Sequence, residues 1–246
     1  EVASITKLMT ALLVLEALDR DEIALTDSVQ ISPRAAAMKG SQALLDASAV
    51  YPLEDLLRTT IMASANDSAV ALSEYIAGSE ENFVDRMNRR AAELGMTNTN
   101  YVNCTGYPQS GQYTTARDVC RLCCEIAKHP RYNQYASVWI DKLTHPGGRV
   151  TDLTNTNRLV RFYEGCDGYK TGSTDAAKYC LAATAEKNGM RLVAIVLGTP
   201  VSQTRFNEAR QMLDYGFATY RRVVIANKGD LLGHCLLYTS DAADDK

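Results

Sequence analysis

The stretch GCDGYKTGSTDAAKYCLAATAEKNGMRLVAIVLG, residues 165–198, decides the fold. Within it, 179–185 and 192–197 are β-rich runs, and the Asn188-Gly189 pair between them is a strong two-residue hairpin signal. Two antiparallel strands are expected here. Lys170-Thr171-Gly172 stands just ahead of them, after Gly165-Cys-Asp-Gly168, which puts it at the edge of the same antiparallel sheet. Gly172 has no side chain to block a substrate lying against the strand, and Lys170 and Thr171 can contact an anionic group.

Upstream of this sheet the pattern turns helical. Residues 52–62, 68–77, 82–94 and 115–128 read as helices, and an amphipathic helix is expected over 204–220. Residues 40–45 form a loop facing a cleft, 98–111 a second loop at its rim, and 137–144 a strand or hairpin arm. Helices fill the middle and strands cluster late, an α+β pattern with an antiparallel sheet and a helical cluster. At 246 residues, 46% hydrophobic and 22% charged, the chain can bury a sizeable core. A net charge of −3 without a basic run argues against a nucleic-acid binder. No run of about 18 apolar residues is present to span a bilayer.

Two further motifs lie outside the sheet. Ser4-Ile-Thr-Lys7 opens a segment, 4–18, whose Leu8, Leu12, Leu15 and Leu18 recur at helical spacing, so Lys7 can lie beside the Ser4 hydroxyl on one face. That is a nucleophile with a base one turn away. A serine hydroxyl needs such activation, and the amine serves only if it is neutral at rest; burial, or a second cation such as Lys170, lowers its pKa in that direction. Unpaired N–H groups in the first helical turn can stabilise a developing oxyanion. Ser64-Ala65-Asn66 falls where one helical run gives way to the next and reads as a turn presenting two polar side chains to a cleft. A lone SxxK arises about once by chance in a chain of this size, but SxxK, SxN and KTG each occur once here, in that order.

The ordered trio resembles the penicillin-binding proteins and class A β-lactamases. Within that superfamily the chain is most similar to the low-molecular-mass serine D-alanyl-D-alanine carboxypeptidases. Ala3-Ser-Ile-Thr-Lys-Leu-Met-Thr10, Met62-Ala-Ser-Ala-Asn-Asp-Ser-Ala69, Tyr113-Thr-Thr-Ala-Arg-Asp118 and Asp167-Gly-Tyr-Lys-Thr-Gly-Ser-Thr-Asp-Ala-Ala177 carry the likeness. It implies a β-lactamase/transpeptidase-like fold in which Ser4 is acylated and Lys7 is its base. Ser64 and Lys170 would relay a proton to the leaving D-alanine, and Asn66 would orient the substrate amide and Lys7. Lys170 and Thr171 would bind the terminal carboxylate beside Gly172, with the backbone N–H groups of Ser4 and Ser173 as oxyanion hole. The implied substrate is a peptidoglycan stem peptide ending in D-Ala-D-Ala, with β-lactams as inhibitors and neither metal nor other cofactor. Ala65, Ser173 and Val2 depart from the family's frequent Gly, His and Pro.

Alternatives on the same motifs are a D,D-endopeptidase of peptidoglycan crosslinks, a β-lactamase, or a penicillin-binding module without turnover. The β-lactamase is disfavoured because no ExxLN-like segment lies between Asn66 and Lys170. The resemblance implies a peptidase domain over 1–221, with roughly two strands and a signal peptide ahead of Glu1. Residues 222–235 resemble the start of a C-terminal β domain, and 236–246 read as a disordered or foreign tail. The implied location is extracytoplasmic, with membrane association only through a C-terminal region outside this chain.

Seven cysteines and three histidines complete the inventory of reactive side chains. An odd, scattered set fits no disulfide framework. Cys120-x-x-Cys123-Cys124 lies in a helical run with no second Cys/His pair, so these are expected as buried helix-face thiols rather than zinc ligands. His129, His145 and His234 are expected in surface or loop positions, with no GxSxG or HExxH motif to employ them.

Overall fold

The computed structural model describes residues 1–225. A 3-10 turn, Ala3–Thr6, runs directly into α1, Lys7–Asp19. The leucine spacing predicts one apolar stripe, yet Leu8, Met9, Ala11, Leu12, Val14 and Leu15 are all buried. A helix apolar all round belongs inside a core, and five helices pack against this one: α3 (Leu53–Met62), α4 (Asn66–Ala77), α5 (Glu80–Glu93), α6 (Ala116–Ile126) and α7 (Pro130–Ala136). The short α2 (Pro33–Ala36) sits on α4. The outer helices are one-sided. In α5, Ser79 Oγ accepts from the Asn82 amide and Phe83, Met87 and Ala91, four residues apart, are the apolar side chains that go inward.

Two small antiparallel pairs flank the helices: β1 (Ser28–Gln30) with β2 (Val50–Pro52), and β3 (Ile140–Thr144) with β4 (Val150–Thr154). After α8 (Leu159–Phe162) come the three strands of the main sheet, β5 (Cys166–Thr174), β6 (Lys178–Lys187) and β7 (Met190–Thr199), antiparallel in the order β5-β6-β7. The β6–β7 turn is the expected one, with Asn188 and Gly189 at φ +52° and +71° and Lys187 paired with Met190. Leu181, Ala183 and Ala185 of β6 pack toward Phe206, Ala209 and Leu213 of α9 (Ser202–Thr219). Cys180 and Ala182 join the helical core on the other face. Small side chains let helices close on both faces, and the KTG strand β5 is an edge strand as expected.

Several expectations change. The periodicity missed α7, which is short and starts on Pro130, a residue pre-set for a first helical position. The histidines are not simply surface groups. His145 lies in the loop after β3 but is buried, its Nδ1 2.8 Å from Tyr51 Oη and its Nε2 2.7 Å from Thr151 Oγ1. Burial first, and then Arg149, lower its pKa. The three cysteines of α6 are not equivalent either: Cys123 is in the core, but Cys120 is half-buried and Cys124 exposed. The inward face takes Val119, Leu122, Cys123 and Ile126, and the next residue round the helix necessarily points away. Expectations for 236–246, for His234, for Cys235 and for most of 222–235 lie outside the described residues; 222–225 form no helix or strand. No helix among the described residues is long and apolar enough to cross a membrane.

Candidate active site

Ser4 sits in the 3-10 turn and Lys7 is the first residue of α1, so the three-residue spacing brings Lys7 Nζ to 2.9 Å from Ser4 Oγ. Lys7 is 1% exposed, and its amine also donates to the Thr105 carbonyl at 2.7 Å. Burial drops its pKa to about 7, against the opposing pull of Cys104 and Asp67. An amine with its proton gone can accept the Ser4 proton across that same contact. Thr105 is held in turn by Asn103, whose Oδ1 accepts from the amides of Thr105 and Gly106 at 3.2 and 2.7 Å. Gly106 has φ +77°, and a Cβ there would stand 1.9 Å from the Ala3 carbonyl oxygen. Only glycine lets this loop close on the Ser4 turn. Thr10 Oγ1 to Cys104 O at 2.6 Å and Gln112 Nε2 to Thr6 Oγ1 at 3.0 Å fasten it further.

The second motif is the turn expected between α3 and α4. Ser64 is buried at φ +64°, and Ala3, just ahead of Ser4, has φ +51°; both serines thus occupy or adjoin left-handed backbone that non-glycine residues seldom adopt. Asn66 opens α4 and holds the 39–46 loop: its amide donates to Ser41 O at 2.7 Å and its Nδ2 to Lys39 O at 2.6 Å. Its Oδ1 is buried without a partner, an acceptor left over in a site where buried acceptors are normally paired. Asp67, fully buried, accepts from the amides of Ala43 at 3.0 Å and Leu45 at 3.1 Å. Arg149 reaches the same loop from the β3–β4 hairpin, donating to Leu44 O and Asp46 Oδ1 at 2.7 Å.

The third motif lies on β5. Lys170 is 1% exposed, its Nζ 3.2 Å from Thr171 O, and its pKa falls well below the ordinary lysine value through burial, then through Lys7 and Arg205. Thr171 Oγ1 donates to Thr156 Oγ1 at 2.7 Å. Gly172 has a reason beyond the expected one. A Cβ there would lie 2.6 Å from Val2 O and 3.1 Å from the Ser4 amide, so its smallness admits the Ser4 turn. Arg205, from α9, donates to the carbonyls of Gly172 at 3.0 Å and Cys180 at 3.2 Å.

Together these walls enclose a cleft of about 320 Å³ lined by Ser4, Gly40, Ser41, Asn66, Gly106, Tyr107, Pro108, Ser173, Thr174 and Asp175. Ser4, Asn66 and Ser173 reach its surface, while Lys7, Ser64 and Lys170 are buried. Lys7 takes its orientation from Ser4 and Thr105; Asn66 makes no hydrogen bond to it. Ser64 and Lys170 make no hydrogen bond to each other. Sequence reasoning missed Thr105, Asp67 and Arg205. The signal available for the first was Asn103 with Gly106 in the rim loop; for the second it was a carboxylate beside Asn66. Elsewhere Glu16, Glu125 and His129 place ligand atoms within 4.8 Å of one another, but Arg90 pairs with both carboxylates, at 2.7 and 3.1 Å.

An antiparallel sheet and a helical cluster closing on an SxxK turn define the penicillin-binding, β-lactamase-like class, and solved structures bear this out. The crystal structure of the D-alanyl-D-alanine carboxypeptidase DacD from Francisella tularensis matches with a TM-score of 0.87 and 29% identity over 92% of this chain and 66% of that one. Penicillin-binding protein D2 from Listeria monocytogenes, solved in the ampicillin-bound form, matches with a TM-score of 0.73 and 32% identity over 88% of this chain and 86% of that one. The family model Peptidase_S11, described as D-alanyl-D-alanine carboxypeptidase, matches residues 1–201, and the chain belongs to that family. It is 42% identical over 218 residues to the D-alanyl-D-alanine carboxypeptidase DacF of Bacillus subtilis, which covers 89% of this chain and 56% of DacF. The chain thus spans little more than half the length of that relative.

Proposed function

We propose that residues 1–221 act as the peptidase domain of a penicillin-sensitive serine D,D-carboxypeptidase working on peptidoglycan outside the cytoplasm. The observation that carries this reading is the buried Lys7 amine, with its pKa lowered to about 7, in contact with Ser4 Oγ at the floor of the cleft. Neutral Lys7 takes the Ser4 proton as Oγ attacks the carbonyl between the two D-alanines. The amides of Ser4 and Ser173 receive the oxyanion, and the unpartnered Asn66 Oδ1 accepts from the substrate amide. Lys170 and Thr171 serve the terminal carboxylate, with Ser64 and Lys170 passing a proton to the departing D-alanine. Water then cleaves the Ser4 ester by the reverse proton path. A β-lactam follows the first half of this course and stalls as the acyl-enzyme, and the ampicillin complex of the Listeria relative supports that part of the reading.

Labelling with a fluorescent penicillin tests it: one covalent label per chain is expected, absent in Ser4→Ala. Labelling of Ser4→Ala would sink the assignment. Free D-alanine released from a stem pentapeptide, outpacing cleavage of a crosslinked dimer, separates the carboxypeptidase from the endopeptidase.

A further inference from the structure

The outer face of α6 carries chemistry that the cleft does not use. Arg117, Cys120, Arg121, Cys124 and Lys128 follow one another at steps that keep them on one side of the helix and its C-terminal extension. The half-buried Cys120 and the exposed Cys124 stand one turn apart on α6, and both line an open groove with Leu94, Arg117, Arg121 and Lys128. Arg121 is engaged by Asp118 at 2.8 Å and Gly95 O at 2.7 Å. Among the described residues Arg117 has neither ion pair nor side-chain hydrogen bond.

Two thiols one helical turn apart invite a disulfide, but the helix forbids it. Cβ atoms four residues apart stand about 5–6 Å from each other, whereas a disulfide needs about 3.5–4.5 Å. One atom placed between the sulfurs, with thiolate–metal bonds of roughly 2.3 Å, spans the gap without unwinding the helix. Coordination number narrows the choice. Zinc wants four ligands, and the remaining candidate in the groove, Glu125, is held by Arg90 at 3.1 Å and Lys128 at 2.6 Å. A pair of thiolates alone suits a soft cation that accepts two ligands.

We propose that Cys120 and Cys124 bind one soft monovalent d10 cation of the Cu(I) class as a bis-thiolate. Each thiol releases a proton to solvent, two sulfur–metal bonds form, and no oxidation state changes. Two thiolates and one monovalent cation leave a single negative charge, which Arg117 and Arg121 on the neighbouring turns offset.

Silver(I) is a redox-inert probe for this site. Titrating the full chain with silver nitrate in chloride-free buffer, read by native mass spectrometry, is expected to load one ion per chain and remove two titratable thiols. Cys120→Ser and Cys124→Ser should each weaken binding beyond the roughly 10- to 100-fold that losing an outer partner brings. Cys235→Ser should leave it unchanged, and Arg117→Gln should weaken it roughly two- to fivefold, as for an exposed charge pair. Thermal melts and penicillin labelling should match the parent chain in all four variants, which separates metal binding from folding and from the cleft. Equal silver binding in either α6 serine variant, or its loss in Cys235→Ser, overturns the proposal.

Discussion

The floor and the roof of the cleft are held in different ways. The floor is the Ser4 turn, gripped by backbone on two sides where Gly106 and Gly172 leave no room for a Cβ, with the Lys7 amine sealed beneath. The roof is the 39–46 loop, held by one backbone bond from Asn66 to Ser41 O and otherwise by side chains: Asn66 and Asp67 from below, and Arg149, 44% exposed at its side chain, from outside. Close-packed backbone has nowhere to relax, whereas an exposed ion pair gives way to solvent at little cost. Changes to the floor should therefore abolish function or folding, and changes to the roof should grade it.

The largest effect is expected for Lys7→Met. Loss of the base should slow penicillin acylation by roughly 10²- to 10⁴-fold, while denaturant unfolding near neutral pH should show a more stable protein because no amine need be buried. Gly106→Ala should be next, destabilising by about 3 kcal/mol or more through the clash with Ala3 O and the left-handed backbone, read by urea unfolding.

The pH dependence sharpens the same contrast. Acylation should fall about tenfold per pH unit below about 7, where Lys7 takes up a proton, and level off above it. For stability the sign follows from a lysine whose folded pKa, about 7, lies below its ordinary 10.5. Between those values the unfolded chain holds the extra proton, so this group's contribution to stability rises with pH across that window and is least below about 7. Lys7→Met should remove the acylation trend and Lys7's own share of the stability trend, leaving the share that the buried Lys170 contributes in the same direction; an unchanged acylation profile would show that another group is titrating. On the roof, Asp67→Ala should cost about 1.5–3 kcal/mol by leaving the amides of Ala43 and Leu45 unpaired. Arg149→Ala should cost only about 0.2–1 kcal/mol and change acylation less than about threefold. An Arg149→Ala defect as deep as that of Gly106→Ala would erase the distinction between the two regions.

What could be read from the sequence was whatever a side chain announces locally. Asn188-Gly189 declares its turn because both residues tolerate positive φ, and Ser4 and Lys7 declare their contact because a helical turn fixes their separation. The partners that complete the site are hidden for equally physical reasons. Thr105 contributes a backbone carbonyl, which any residue carries, and reaches Lys7 across 98 positions of chain. The close approach of the Ser4 turn to Gly172 is made across the chain and leaves no local sign. His145 and Cys124 went astray because a loop position does not reveal what closes over it, nor a helical run which way each neighbour faces.

The pinched Ser4 turn also governs where this scaffold tolerates change. Residues gripped between two glycines leave little room for substitution, whereas the cleft's outer lip is open. Tyr107, Pro108 and Asp175 line the opening, and Tyr107 is already 44% exposed. A library built there should keep the fold while reshaping the cleft mouth, whereas one built around Ser4 should mostly return unfolded protein, read by thermal melts.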